Sequence, residues 1–297
     1  MSSLRLLTGI VLVALTCLAP CTGLRAEVAV SFQQSSVGLY STQPIVDDPD
    51  PIGLAWTRYS ADTSIKFVLN DQGDANGDGR PSLLYNTFST LPIVAWSRNS
   101  PGGYDVVLSR FDGGAWTMPT VLADSTADEL DPVLVMDPSD GSVHLLYWVA
   151  GASPVVMYRS APADLSTWSP AIEISQPGEL AVRPAAVFFE GQLHAAYENH
   201  SFGFGTTPRE IVLATDDGAG FSSMLLATTY HAGANWPEVH RASGRIWVEW
   251  IDAEDEMNWT RKLLSGSWES LQTEPYDTSE KRDYHVRGTI RSQALQP

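Results

Sequence analysis

Residues 131–175, DPVLVMDPSDGSVHLLYWVAGASPVVMYRSAPADLSTWSPAIEIS, decide the fold. Four short runs rich in β-branched, aliphatic and aromatic residues alternate there with turns rich in Pro, Asp, Ser and Gly. The runs are residues 132–136, 143–150, 154–160 and 171–175. Each run has the length of one strand, and the turns between them are too short for crossover connections. The stretch therefore predicts a four-stranded antiparallel sheet.

The same block recurs along most of the chain. The aromatic residues that close its second run repeat at spacings of 51, 50 and 53 residues. A second aromatic residue follows each Gly/Ser/Asp-rich turn, and a proline opens each block. The three sets of markers are Trp96, Tyr147, Tyr197 and Trp250; Trp116, Trp168, Phe221 and Trp268; and Pro81, Pro132, Pro184 and Pro237. Self-similarity at this period, filled with short strands, predicts an all-β fold, a single β-propeller of four-stranded blades.

The number of blades depends on both ends of the chain. Four full blocks follow a shorter one from residue 44, which has runs at residues 53–58 and 64–69 but no clear fourth strand. The tails at residues 27–40 and 283–292 each contain a further strand-like run. If the tails complete the first block, the propeller has five blades; if they pair as a separate blade, it has six. We predict five, with six as the alternative.

The first 26 residues predict a secretory signal peptide. Arg5 precedes an apolar stretch at residues 6–18 that is short for a membrane span, and Ala26 provides a small residue before the cleavage point. We expect residues 27–297 to form the propeller domain and to be secreted or periplasmic. Because Cys17 and Cys21 both lie in the predicted leader, no disulfide is expected in the domain.

The formal net charge of −17 restricts the partners of this chain. An acidic surface repels phosphate backbones and anionic lipid, so the charge argues against nucleic acid and anionic membrane surfaces. Beyond the leader, no apolar run is long enough to span a bilayer. The partners that remain are a glycan or an extracellular protein.

Residues 109–116, SRFDGGAW, resemble the Asp-box, or BNR repeat, of sialidase-like β-propellers, whose pattern is Ser-x-Asp-x-Gly-x-x-Trp. Residues 216–221, DDGAGF, are the nearest fit in spacing, with Phe in place of Trp, and residues 160–168 and 264–268 are degenerate copies. The resemblance implies a sialidase-like propeller whose Asp-box turns are structural and lie opposite the active face. A sialidase-like glycosidase remains an alternative rather than the favoured function, because the Arg-Ile-Pro of sialidases is replaced here at best by Arg80-Pro81 and Arg183-Pro184.

Residues 74–79, DANGDG, match the first half of a calcium-binding loop. Asp74, Asn76 and Asp78 place three oxygen-bearing side chains along a tight turn, the donor type that a hard cation such as Ca²⁺ prefers. The loop also resembles the Asp-x-Asn-Gly-Asp-Gly loops of integrin-type propeller repeats. The alternative is a polar turn without metal, because Ser82 and Tyr85 stand where an EF-hand has its later ligands. A structural Ca²⁺ is the one cofactor that the sequence suggests.

The predicted topology indicates where a ligand would bind. In a propeller, the loops that lead into the inner strands share one face with the loops that join second and third strands, and loops on rigid scaffolds commonly carry recognition. Aromatic faces stack on sugar rings, and charged or amide groups bind hydroxyls. The candidate ligand-binding residues on this face are Arg80, Asp131, Arg183, Glu198, Tyr230, His231 and Trp236.

Each candidate has a purely structural alternative. The arginines before the prolines are equally explained by pairing with acidic residues at blade starts, and Trp236 by capping the core. His144 and His194 occupy equivalent strand positions, which predicts packing within the repeat. His200 and His231 are expected to be exposed to solvent rather than catalytic.

Three functions fit these features. The one we favour is an exported, non-catalytic binding module that recognises a glycan or a protein on its loop-bearing face. The second is a carbohydrate-active enzyme: a glycosidase with Glu198 and Asp131 as its carboxylate pair, or a polysaccharide lyase using Arg183, His231 and Tyr230. The third is a structural subunit of an extracytoplasmic assembly. The sequence assigns no catalytic residue.

Overall fold

The structure is a computed structural model of the chain, and its regular elements are all β-strands in the residues that it describes. The described residues are 29–35, 38–42, 64–68, 81–86, 88–89, 91–112, 117–201, 208–229, 237–242, 245–253, 256–262 and 268–275. The strands are β1 (Ala29–Ser35), β2 (Gly38–Thr42), β3 (Ser64–Val68), β4 (Ser82–Asn86), β5 (Leu91–Ser100), β6 (Gly103–Arg110), β7 (Thr120–Ala123), β8 (Glu129–Met136), β9 (Val143–Val149), β10 (Val155–Ala161), β11 (Ile172–Glu173), β12 (Ala181–Phe189), β13 (Gln192–Asn199), β14 (Arg209–Asp216), β15 (Phe221–Thr229), β16 (Glu238–Ala242), β17 (Arg245–Ala253), β18 (Glu256–Lys262) and β19 (Gln272–Pro275).

Each of the four full sequence blocks forms one four-stranded antiparallel sheet, as predicted. The strands of every sheet follow in chain order, from β4 to β7, β8 to β11, β12 to β15 and β16 to β19. Consecutive sheets pack through their first strands, because β8 contacts both β4 and β12, and β12 contacts β16. Successive meander sheets joined along their inner strands are the arrangement of propeller blades.

A further sheet contains the start of the predicted domain. Strand β1 lies between β2 and β3, so the tail at residues 27–40 joins the first sequence block. The five-blade prediction requires the N-terminal tail to pair with the first sequence block, as β1 does with β3. The runs at residues 53–58 and 283–292 lie outside the described residues, so the choice of five blades over six stays a prediction.

The hydrophobic core lies between neighbouring blades. The repeated aromatic residues are its largest members: Trp96 and Tyr197 are fully buried, Trp250 is 1% exposed and Tyr147 is 3% exposed. One cluster joins the blade of β8 to the blade of β12, and two others make the corresponding contacts with the adjacent blades. Truncating a buried aromatic residue of this size to Ala costs about 3–5 kcal/mol. Tyr147, Tyr197 and Trp250 therefore hold neighbouring blades together, whereas Trp96 packs with Leu83, Val94 and Val107 of its own blade.

The proline that opens each block sets the register of the inner strand. In all four blades, the residue after the proline pairs with the residue before the buried aromatic: Ser82 with Ala95, Val133 with Leu146, Ala185 with Ala196 and Glu238 with Glu249. In β8 and β12 the pairing continues beyond the proline across a bulge. Proline is tolerated there because a bulged residue needs no N–H for the ladder.

The two bulges hold charged residues in a rare backbone conformation. Asp131 has a φ of 48° and Arg183 a φ of 54°, each directly before the proline. A left-handed conformation is uncommon for residues other than glycine, and such strain costs on the order of 1–3 kcal/mol. The same strained, left-handed residue therefore precedes the proline in two neighbouring blades.

One face of the molecule carries both the starts of the inner strands and the second-to-third-strand loops. The Ala150 N–H donates to the Asp128 carbonyl at 2.8 Å, and the His200 N–H donates to the Leu180 carbonyl at 3.0 Å. We call this side the loop face. Of the turns that resemble Asp-boxes, those at residues 160–168 and 216–221 are described and lie at the other ends of the antiparallel strands. Within the described part of the chain, no helix is long and apolar enough to cross a membrane.

Candidate functional site

Arg183 is held on the loop face by a buried carboxylate. Its Nη1 lies 3.2 Å from both Oε1 and Oε2 of Glu198, which follows the buried aromatic Tyr197 on β13. The side chain of Glu198 is fully buried, whereas that of Arg183 is 29% exposed. The pairing anticipated as the structural alternative for Arg183 is therefore present, but the guanidinium still reaches solvent.

Two more basic side chains surround the carboxylate of Glu198. His200 Nε2 lies 3.0 Å from Oε2, and Arg209 Nη1 lies 3.7 Å from the same oxygen. Because an ionised carboxylate only accepts hydrogen bonds, the proton between His200 and Glu198 belongs on Nε2. The side chains of His200 and Arg209 are only 3% and 6% exposed. One buried carboxylate thus holds three basic groups, of which Arg183 alone has substantial exposure.

Asp131 is held in the same way in the preceding blade. Its Oδ2 accepts a hydrogen bond of 2.9 Å from the indole Nε1 of Trp148, the residue that follows the buried aromatic Tyr147. Asp131 and Arg183 thus share a position, a left-handed backbone and a side-chain partner one residue beyond the buried aromatic. We call these two arrangements the braced pairs. They fix one acidic and one basic side chain at equivalent points of neighbouring blades.

A second acidic residue lies two positions before Asp131. Glu129 is 1% exposed, its Oε1 accepts from the Ser125 N–H at 2.9 Å, and its Oε2 has no hydrogen-bond partner among the described residues. Burial raises the pKa of this carboxyl, opposed by the hydrogen bonds from Ser125 and supported by the nearby charges of Asp105 and Asp124. The start of β8 therefore combines a desolvated carboxyl with the half-buried Asp131.

Three of the seven predicted ligand-binding residues are described, and they form the braced pairs. Asp131 and Arg183 lie at equivalent bulges, and Glu198 is the partner of Arg183 rather than a neighbour of Asp131 in a common carboxylate pair. The other four, Arg80, Tyr230, His231 and Trp236, lie outside the described residues. The same holds for the predicted calcium ligands Asp74, Asn76 and Asp78.

Two expectations about the long loop after Tyr197 are corrected. Glu198 was expected in the loop, but β13 continues to Asn199, so the carboxylate lies inside the sheet. His200 was expected to be exposed but is buried, because it packs against the Glu198 carboxylate. In contrast, His194 is buried and hydrogen-bonds Thr215 Oγ1 at 3.1 Å, which agrees with packing within the repeat.

Sequence reasoning missed Trp148, Arg209 and Glu129. For Trp148 the sequence contains a signal. Trp148 follows a buried aromatic and lies 17 residues after Asp131, much as Glu198 follows a buried aromatic and lies 15 residues after Arg183. Arg209 lies on a third strand, with no repeat marker at its position. In the described part of the chain, no group of three or more His, Cys, Asp or Glu side chains is arranged to hold a metal ion.

Comparison with known proteins identifies the fold. The sequence matches no protein-family model, and no curated protein is significantly similar to it. Among solved structures, the GH93 α-L-arabinofuranosidase of Fusarium graminearum with arabinobiose has a TM-score of 0.56 at 14% identity, over 86% of this chain and 82% of that one. The fold is a β-propeller.

Two further solved structures agree with this fold. The NanB sialidase of Streptococcus pneumoniae, as its K499G mutant, has a TM-score of 0.52 at 10% identity, over 71% of this chain and 54% of that one. An α-L-arabinofuranosidase of Fusarium graminearum in complex with an iminosugar inhibitor also has a TM-score of 0.52 at 10% identity, over 68% and 67% of the two chains. At these identities the similarity concerns the architecture alone, so the chemistry of the site is argued from the residues of this chain.

Proposed function

We propose that this propeller is an exported binding module that recognises a glycan on its loop face, with Arg183 and Asp131 as ligand-contacting residues. The observation that carries the proposal is the braced pair of Arg183 and Glu198: a partly exposed guanidinium is fixed by a fully buried carboxylate. A fixed guanidinium loses little conformational entropy when it binds, and it presents several N–H donors to hydroxyl or carboxylate oxygens.

The three basic partners of Glu198 favour binding over hydrolysis by the pair first considered. A glycosidase needs two carboxyl groups that flank the scissile bond and reach it. Glu198 is fully buried and engaged by Arg183, His200 and Arg209, so its role in this proposal is to position Arg183. Asp131 remains half-buried on the loop face and is available to accept hydrogen bonds from sugar hydroxyls.

The proteins of similar fold support a carbohydrate as the ligand class. They are described as α-L-arabinofuranosidases, one of them bound to arabinobiose, and as a sialidase. Because these similarities extend to the architecture only, they serve to choose probes. Arabino-oligosaccharides and sialylated glycans are the first two series to test.

The experiment is a glycan-array screen of the purified chain, followed by chromatographic analysis of each bound glycan after prolonged incubation. We expect binding without cleavage, and weaker binding by Asp131→Asn, which keeps an oxygen for the Trp148 indole but loses the charge. Asp164→Asn is the matched control, since Asp164 is exposed on the opposite face. The proposal fails if no glycan binds, or if both variants bind like the wild type.

A glycosidase is the second candidate, and Glu129 is the observation that favours it. A glycosidase acid is commonly a desolvated carboxyl with a raised pKa near a second carboxylate, and Glu129 lies two residues before Asp131 on β8. If the chain cleaves an arabinoside or sialoside, Glu129→Gln is expected to abolish the turnover while binding persists. Turnover that is unaffected by Glu129→Gln would reject Glu129 as the acid.

We also propose that the chain is exported and that it binds a structural Ca²⁺ ion, but glycan binding does not depend on the Ca²⁺ ion. A Ca²⁺ ion held by Asp74, Asn76 and Asp78 would brace the first sequence block. Thermal melts with EDTA and with added Ca²⁺ test this directly, and a melting temperature that is the same in both would reject it.

A further inference from the structure

The outer strands of the four-stranded sheets differ in how their edges are protected. Open edges attract other strands, and proteins protect them with short strands, charges and prolines. Strand β11 has two residues and includes Glu173, β7 has four residues, and β19 has four residues with Glu274 and Pro275. Strand β15 has nine residues, Phe221–Thr229, with neither a charged residue nor a proline. It is the unprotected edge among these four.

Apolar side chains project from the β15 edge. Met224 is 44% exposed and Leu225 is 53% exposed, whereas Leu226 packs against the core cluster between this blade and the next. The difference arises at a bulge, because the pairing with β14 shifts between Ile211 and Val212 and leaves Leu226 as the extra residue. Residues 221–225, before the bulge, keep a regular ladder with residues 212–216. That regular segment is the part of the edge able to accept another strand.

We propose that residues 221–225 of β15 pair antiparallel with the same residues of a second copy of this chain, giving a two-fold symmetric dimer. Two observations select a second copy as the occupant. The chain has a net charge of −17, so self-association needs a contact segment without like charges, and residues 221–229 contain none.

The segment is also complementary to itself. A two-fold axis at Ser223 places Phe221 opposite Leu225 of the other copy, and Ser222 opposite Met224. Apolar side chains thus meet on one face of the joined sheet, as an isologous interface requires. The two sheets then form one continuous sheet through the backbone hydrogen bonds of their edges.

The test is sedimentation equilibrium of the purified full chain, with two variants on the edge and one elsewhere. Leu225→Lys places a charge on an exposed apolar position, and Ser222→Lys does so without removing an apolar group. Ile172→Lys is the matched control, because Ile172 is 48% exposed on the short outer strand β11. We expect the wild type and the control to dimerise, and each edge variant to raise the dimer dissociation constant about tenfold or more, since an edge charge must be desolvated.

A second measurement locates the contact. Hydrogen exchange of the peptide spanning β15 is expected to slow when the protein concentration rises from about 1 to about 100 µM, while the β11 peptide is unchanged. A wild type that is monomeric at the higher concentration overturns the proposal. So does a dimer whose dissociation constant in both edge variants equals that of the wild type, or one that leaves β15 exchange unaffected.

Discussion

Replacing Glu198 with Gln removes the one carboxylate that holds Arg183, His200 and Arg209 together. Glutamine keeps the shape and one acceptor oxygen, but its amide then directs N–H groups towards donors. Breaking a buried ion pair from one side costs about 3–5 kcal/mol, because a charge remains buried without compensation. Arg209, whose side chain is only 6% exposed, loses the Glu198 carboxylate as a partner, whereas Arg183 is 29% exposed and solvent screens its loss. We therefore expect about 3 kcal/mol, the lower end of the range.

The loss is measured as the free energy of unfolding in urea, with the thermal midpoint as a second reading. A loss of 3 kcal/mol lowers the midpoint by about 6–12 °C in a domain of this size. Glu190→Gln is the matched control, because Glu190 is exposed and its change is expected to stay within about 0.5 kcal/mol. An E198Q protein that is as stable as the control would refute the account of Glu198 as the centre of a buried network.

Three further predictions concern single positions. Folding raises the pKa of Glu129, so this carboxyl stabilises the folded protein fully below its unfolded pKa of about 4.3 and loses that contribution as the pH rises through the folded value. We therefore expect Glu129→Gln to become more stable than the wild type between pH 4 and 7. Urea unfolding free energies that depend on pH in the same way for both proteins would contradict this. Burial lowers the pKa of His144, which hydrogen-bonds Tyr158 at 2.8 Å, so stability is expected to fall as pH drops below about 6.5 and to fall less in His144→Gln, as thermal melts at pH 5 and 7 will show. Glu190 and Gly191 have φ values of 52° and 77° in the two-residue hairpin between β12 and β13, a turn that favours Asn-Gly, so Glu190→Asn is expected to raise the unfolding free energy by about 0.5–1 kcal/mol.

The strands were predictable because their signals are local. The run predicted at residues 143–150 is β9, Val143–Val149, and the run at residues 154–160 is β10, Val155–Ala161. Within residues 131–175 the main boundary error is at β8, which begins at Glu129 rather than at Pro132. The proline was interpreted as the strand start, whereas pairing continues past it through the bulge at Asp131. A bulge depends on contacts with a second strand, which a single run of sequence does not contain.

The candidate site was predictable in position and not in chemistry. The residues before the prolines could be placed on the loop face from the propeller topology alone. Their partners could not, because Arg183, Glu198 and Arg209 come from three different strands and meet only after the sheet has formed. Sequence alone also gave no sign that Glu198 would be buried, since a loop and an extended strand are equally compatible with a polar residue after an aromatic anchor.

The central claim is that the loop face binds a glycan through the braced Arg183. Isothermal titration of the best array ligand into the wild type, Arg183→Ala and Arg110→Ala tests it most directly. Arg110 is the matched control, because it is an exposed arginine in the turn at the end of β6, on the opposite face. We expect at least about tenfold weaker binding for Arg183→Ala, corresponding to the loss of one charge-assisted hydrogen bond, and unchanged binding for Arg110→Ala. Wild-type affinity in Arg183→Ala, with its fold verified by circular dichroism, would contradict the claim.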